Sequence, residues 1–193
     1  DDIQFENPES VNKATDEIIE KVLDLGTQGL IDEDDFNLFS PENQRLVEIS
    51  LADSYKSSGQ LQQAADNYEK LLSKHGQLPI LLNNAANIYF SLNQQKKARQ
   101  YAAQAYSYLK DNVAIIDTYA WIESRLGNHL EALALFRYAL TKDYDNAEIK
   151  YHLAVTLDKL GRTTEAKGHL IEAINSQQLF QGKEQAKRLL ATW

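Results

Sequence analysis

Four histidines, His75, His129, His152 and His169, are the side chains here best suited to move protons or bind a metal near neutral pH. They fall in different helices or turns, with no HExxH pair and no close acidic spacing, so they give neither a metal site nor a catalytic triad. Each reads as a surface or hydrogen-bonded helix residue. The acidic run Asp32 to Asp35 lacks the alternating ligands, central glycine and distal glutamate of a calcium loop, and reads as a solvated turn or helix start. Cysteine is absent, which excludes disulfides, thiolate zinc sites and thiol catalysis. Gly26 and Gly29 are isolated and make no phosphate loop. No enzyme, metal or cofactor is expected. The remaining chemistry is recognition. Four sets of residues share an i, i+4, i+7 spacing: Ile49, Asp53 and Lys56; Asn83, Asn87 and Phe90; Asp117, Trp121 and Ser124; Tyr151, Val155 and Asp158. Phe90, Trp121 and Tyr151 would floor a cleft, and Asn83, Asn87, Asp117 and Asp158 would orient its ligand. The competing reading has these rings packing on a neighbouring helix or on the segment over residues 1–40.

The elements that would hold such a ladder are set by a repeat. A shift of 34 residues aligns Gly59, Asn93, Gly127 and Gly161. It also aligns Ala52, Ala86, Ala120 and Ala154, then Ala64, Ala98, Ala132 and Ala166, with no insertion. Small residues recur where two helices approach closely, and the glycine column falls where a left-handed residue ends a helix. Apolar residues at spacings of three and four mark the buried stripes. The predicted helix pairs are 41–58 with 61–74, 79–92 with 95–108, 113–126 with 129–142, and 147–160 with 163–176. On the first helix of each pair, Leu51, Ala52 and Tyr55 or their equivalents lie inside, which puts the four ladders on the opposite side.

These columns make the chain similar to the tetratricopeptide-repeat (TPR) family. The likeness rests on the period, on Ala52 then Tyr55, Ala86 then Tyr89 and Ala154 then Leu157 in the first helices, on the turn glycine, and on Ala64 with Tyr68 and Ala132 with Phe136 in the second. It spans residues 45–176. The family's opening tryptophan is replaced by Glu48, Leu82, Ile116 and Lys150, and its inter-repeat proline by Gly76, Lys110, Tyr144 and Gln178. Glu123 stands in the aromatic column of the third repeat, so looser packing is expected there. The resemblance implies an all-α, right-handed superhelical solenoid with repeats over 41–76, 79–110, 113–144 and 147–178. An acidic helical segment over 1–40 precedes it and a capping helix over 179–193 comes after it. It also implies that the four ladders line a concave groove for an extended or helical peptide. The family's clamp for chaperone C-terminal carboxylates is absent, because Ile49, Asp53, Asp117 and Trp121 stand at its positions, Asn84 alone matching. Asp53 and Asp117 are expected to repel a carboxylate.

The stretches NVAIIDTYAWIESRLGN and DNAEIKYHLAVTLDKLGR, with a short last helix beyond them, are also similar to repeats of bacterial envelope TPR proteins found with exopolysaccharide export and PEP-CTERM sorting systems. That likeness implies a periplasmic scaffold binding a protein or peptide partner. A cytoplasmic adaptor of co-chaperone type and a saccharide-binding module of an export complex are the alternatives.

Charge is unevenly placed. The net charge is −8, yet residues 1–40 hold 12 acids and 2 bases. The remainder is slightly basic, without an aromatic-laced basic stripe, so nucleic acid is not an expected partner. No apolar run reaches the about 18 residues of a membrane span. The sequence contains no Met, which suggests a processed or excised piece. Asn7-Pro8 is a helix start, and Val11, Ala14, Ile18, Val22 and Leu25 form a stripe that caps the first repeat or makes a built-in groove ligand. In KEQAKRLLATW, Ala186, Leu189, Leu190 and Trp193 would cover the last repeat.

Overall fold

The computed structural model describes residues 41–193. The expectations placed on residues 1–40, namely the helix from Asn7-Pro8, its apolar stripe and the acidic turn, lie outside the described residues. The chain divides into two compact units, Asp1–Gln77 and Leu78–Trp193.

Within the first unit, α1 (Pro41–Ser57) and α2 (Leu61–His75) pack on each other. Val47, Leu51 and Ala52 from α1 and Ala64, Ala65, Tyr68, Leu71 and Leu72 from α2 are buried. Glu48, at the family's tryptophan position, stays partly exposed and pairs with Lys74 at 2.7 Å and His75 at 3.0 Å.

The second unit holds α3 (Pro79–Ser91), α4 (Gln95–Tyr108), α5 (Val113–Arg125), α6 (His129–Lys142), α7 (Ala147–Lys159), α8 (Thr163–Asn175) and α9 (Lys183–Ala191). No strand occurs among the described residues. Each helix packs on the next in sequence, and α3 also touches α5, as α5 touches α7. The second helices of successive pairs make no comparable contact among the described residues. First helices that meet, with any contact between second helices weaker, place the first helices on the inner side of the array.

The columns explain how the helices come so close. Ala86, Ala120 and Ala154 on first helices, and Ala98, Ala132 and Ala166 on second helices, are completely buried. Each pair turns over with one hydrogen-bond pattern. In the third repeat Gly127 N–H donates to Ser124 C=O at 3.1 Å and Asn128 N–H to Glu123 C=O at 2.9 Å. These two bonds close the end of a helix through a left-handed residue. Asn93 takes that role in the second repeat with φ 59°, a conformation asparagine tolerates better than other side-chain-bearing residues. Helix starts are capped by different means. Pro79 opens α3, whereas the side chains of Asn112 and Asn146 accept from Ile115 and Ile149 N–H at 3.1 Å to open α5 and α7.

Glu123 does not loosen the third repeat. Its side chain is fully buried, accepting from Arg99 Nε at 2.6 Å and from Asn128 Nδ2. Glu123 and Asn128 flank the turn where an apolar contact commonly sits, and a charge-assisted bond takes its place. The last helix begins at Lys183, so residues 179–182 precede it. Ala186 is buried in the core of the last repeats, with Phe180, Leu189, Leu190 and Trp193 packed against it. Lys167 Nζ donates to the Trp193 carbonyl at 2.7 Å, which ties the segment after α9 to α8.

Candidate functional site

The candidate surface is the side of α3, α5 and α7 turned away from α4, α6 and α8. Ile49, Asp53 and Lys56 belong to the first unit. There Ile49 is partly buried, Lys56 is exposed, and Asp53 accepts from Tyr68 Oη at 2.6 Å.

Asn83 on α3 is nearly buried at 8% exposure, and its Oδ1 has no hydrogen-bond partner among the described residues. One turn on, Asn87 Nδ2 donates to Thr118 Oγ1 of α5 at 3.3 Å, and Phe90 is partly open to solvent. Between α5 and α7 the ladder becomes a polar seam. Asp117 Oδ1 lies 2.8 Å from His152 Nδ1, with both side chains mostly buried. Ser124 Oγ lies 2.8 Å from Thr156 Oγ1, whose hydroxyl donates to the His152 carbonyl at 2.9 Å, so Ser124 is the donor of the first bond. Ser124, expected on the open side, is 4% exposed and acts as a spacer between repeats. The cause is the contact of α5 with α7: first helices that touch each other bury part of the side they share.

Of the three rings expected to floor a cleft, Trp121 and Tyr151 meet each other and close on neighbouring side chains. Trp121 stacks on His152 with centroids 4.1 Å apart and planes 17° apart. It meets Tyr151 at 6.3 Å, and Tyr151 meets Phe180 at 5.7 Å. Trp121 and Tyr151 are half-buried against the core, so each belongs partly to both readings of the sequence. Burial pushes the Tyr151 phenol above its ordinary value, and the charge of Arg125 works in the opposite direction. The Arg125 guanidinium itself lies over the Trp121 ring at 5.5 Å. Val155 and Asp158 stay partly open.

His152, Arg125 and Phe180 are the members of this cluster that the ladder spacing missed. Arg125 is four residues beyond Trp121 and within reach of the same helical count. His152 is a hydrogen-bonded helix residue, as its sequence context implies, although its partner on a neighbouring first helix lies beyond local spacing. His75 is likewise held, by Glu48. Among the described residues no three His, Cys, Asp or Glu side chains stand together as a metal site. None of the described helices is long and apolar enough to cross a membrane. The groups gathered on this side offer stacking surface, hydrogen bonds and one exposed guanidinium, which suits non-covalent binding.

A search of the curated proteins found no match. Among solved structures, a tetratricopeptide repeat protein from Parabacteroides merdae superposes with a TM-score of 0.67 at 19% identity, covering 93% of this chain and 74% of its own. YrrB, a TPR protein described as having an unusual peptide-binding site, gives 0.63 at 20%, covering 93% and 86%. The first TPR of Spaghetti (RPAP3), bound to the HSP90 peptide SRMEEVD, gives 0.57 at 21%, covering 61% and 93%. At these identities the likeness is one of fold. Family models described as tetratricopeptide repeat match residues 49–112 and 125–192, together more than half of the sequence. With its all-α architecture and its repeated helix pairs, the chain belongs to the tetratricopeptide-repeat family.

Proposed function

We propose that this protein is a non-enzymatic interaction scaffold that takes a peptide or protein segment on the inner side of α3, α5 and α7. One observation carries the reading: Asn87, Phe90, Trp121, Tyr151, Val155 and Asp158 run across three contiguous first helices and stay partly open to solvent. Two of the similar structures concern peptide binding, which supports the same use. Panning a random dodecapeptide display library against the protein tests it. A selected peptide should lose about tenfold in affinity on Val155→Glu, which sets a charge in the groove, while the melting midpoint stays within a few degrees. A library that returns no binder, or binders indifferent to Val155→Glu, would sink this reading.

The alternative of a saccharide-binding module has less support. A pyranose stacks on an open ring face, and Trp121 already has a face stacked on His152. Titrating neutral oligosaccharides against tryptophan fluorescence checks it, with a saturable change as the result in its favour. The setting we propose is a bacterial envelope export or sorting assembly, supported by the sequence likeness over residues 112–128 and 145–162. Its rival is a cytoplasmic adaptor. Fractionating the source cells separates them: recovery with the periplasmic or membrane fraction favours the first, and with the cytosol the second.

A further inference from the structure

Arg125 stands apart from the other arginines of the second unit whose heads are bonded. Arg99, Arg137 and Arg162 each reach a carboxylate. The exposed Arg125 guanidinium has no carboxylate within ion-pair distance among the described residues and rests instead over the indole of Trp121. The indole is itself fixed by its stack on His152, so the cation is held by a rigid ring at the inner side of α5. Tyr151 and Phe180 continue the apolar surface beside it. Two carboxylates share this side. Asp117 is turned into His152 at 2.8 Å and mostly buried, so the repulsion expected of it is muted. Asp158 lies further along α7, partly open, and makes no ion pair with Arg125 among the described residues.

We propose that Arg125 forms a carboxylate subsite that selects an acidic linear peptide, one with Glu or Asp next to an apolar residue that packs against Trp121, Tyr151 and Phe180. This deepens the peptide-groove reading above and rests on it. A planar guanidinium with free N–H groups takes a carboxylate by paired hydrogen bonds, and its position on an aromatic face limits the rotamers it must give up on binding. Asp117 and Trp121 stand where the chaperone-binding clamp would carry its two basic residues in the third repeat, so Arg125 is not one of the clamp's cations. The expected ligand is therefore an acidic side chain within the peptide.

The same display library, panned against the wild-type protein and Arg125→Glu, tests the proposal. The wild type should enrich Glu and Asp beside an apolar residue by about fivefold over Gln, the size of a partly exposed ion pair. Arg125→Glu should reverse the preference towards Lys and Arg. Arg125→Gln, which keeps a polar side chain, should abolish it if the reversal variant folds poorly, and Arg188→Gln on α9 should leave it unchanged. Peptides that depend on Val155 but show no acidic preference, or keep it in both Arg125 variants, would overturn the subsite and leave the groove standing. No peptide at all would remove both. Saturable binding of oligogalacturonate that needs Arg125, in place of peptide, would overturn the proposal in favour of an acidic saccharide.

Discussion

Glu123 shows how one residue can replace an expected contact by a different force. A buried carboxylate is tolerable only while its partners hold it, and here they are one half-exposed arginine and one asparagine amide. Arg99→Ala is therefore expected to cost about 2 kcal/mol in urea unfolding, while Glu123→Leu, which copies Leu157 in the next repeat, should be neutral or stabilising. Beyond its place in the proposed groove, Trp121 stacks on His152, meets Tyr151 and carries the Arg125 guanidinium. Trp121→Ala should lower stability by about 2 kcal/mol as well as weakening peptide binding, so equilibrium unfolding must accompany any binding assay of that variant. At Glu48, burial pushes the carboxyl up, but hydrogen bonds and charges from Lys74 and His75 outweigh it and hold the group below its ordinary value of 4.5. A depressed folded value means that this contribution is present above pH 4.5 and fades as the pH falls through the folded value. Glu48→Gln should thus flatten part of the acid limb in a pH series of thermal melts. Helical spacing assigned a side to each ladder position, and Asn87, Phe90, Trp121, Tyr151, Val155 and Asp158 stay partly open while Asn83 and Ser124 are buried. Spacing did not reveal that Asp117 would meet His152, 35 residues away, since such pairings depend on how far one repeat slides over the next.

At the scale of the helices, most of the architecture was legible. Glycine or asparagine after each first helix and alanine at two closely packed positions are local demands of geometry, and a period of 34 repeats them. Boundaries drifted by a residue or so, as expected where frayed ends and caps decide them. The approach to α9 was harder to read. Gly182 has φ 110°, and a Cβ there would stand 2.6 Å from Tyr151 Cε1. The glycine thus serves both the turn and the close approach of an aromatic ring from α7. Gly182→Ala should destabilise the docking of α9 by about 1–3 kcal/mol, seen as earlier loss of the near-ultraviolet Trp signal on heating. Nothing in the stretch FQGKE announced that ring, because Tyr151 is assigned to the open ladder by its own helix and meets Gly182 only through the tertiary fold.

Across the molecule, the described part of the second unit is a chain of nearest-neighbour contacts, so its last repeat depends on α9 for cover. Ala186, Leu189, Leu190 and Trp193 close the apolar end of the array. Removing residues 183–193 should expose that end and promote self-association, measurable by light scattering. Gln178, at the family's proline position, also links the two ends of the final repeat: its Oε1 accepts from Ala147 N–H, 31 residues earlier, at 2.9 Å. A proline would fix a bend, whereas this amide makes a latch. The Ala147 proton is consequently a single-site clock for the closing segment: deuterium should enter it as fast as that segment lets go, long before the helices around it melt.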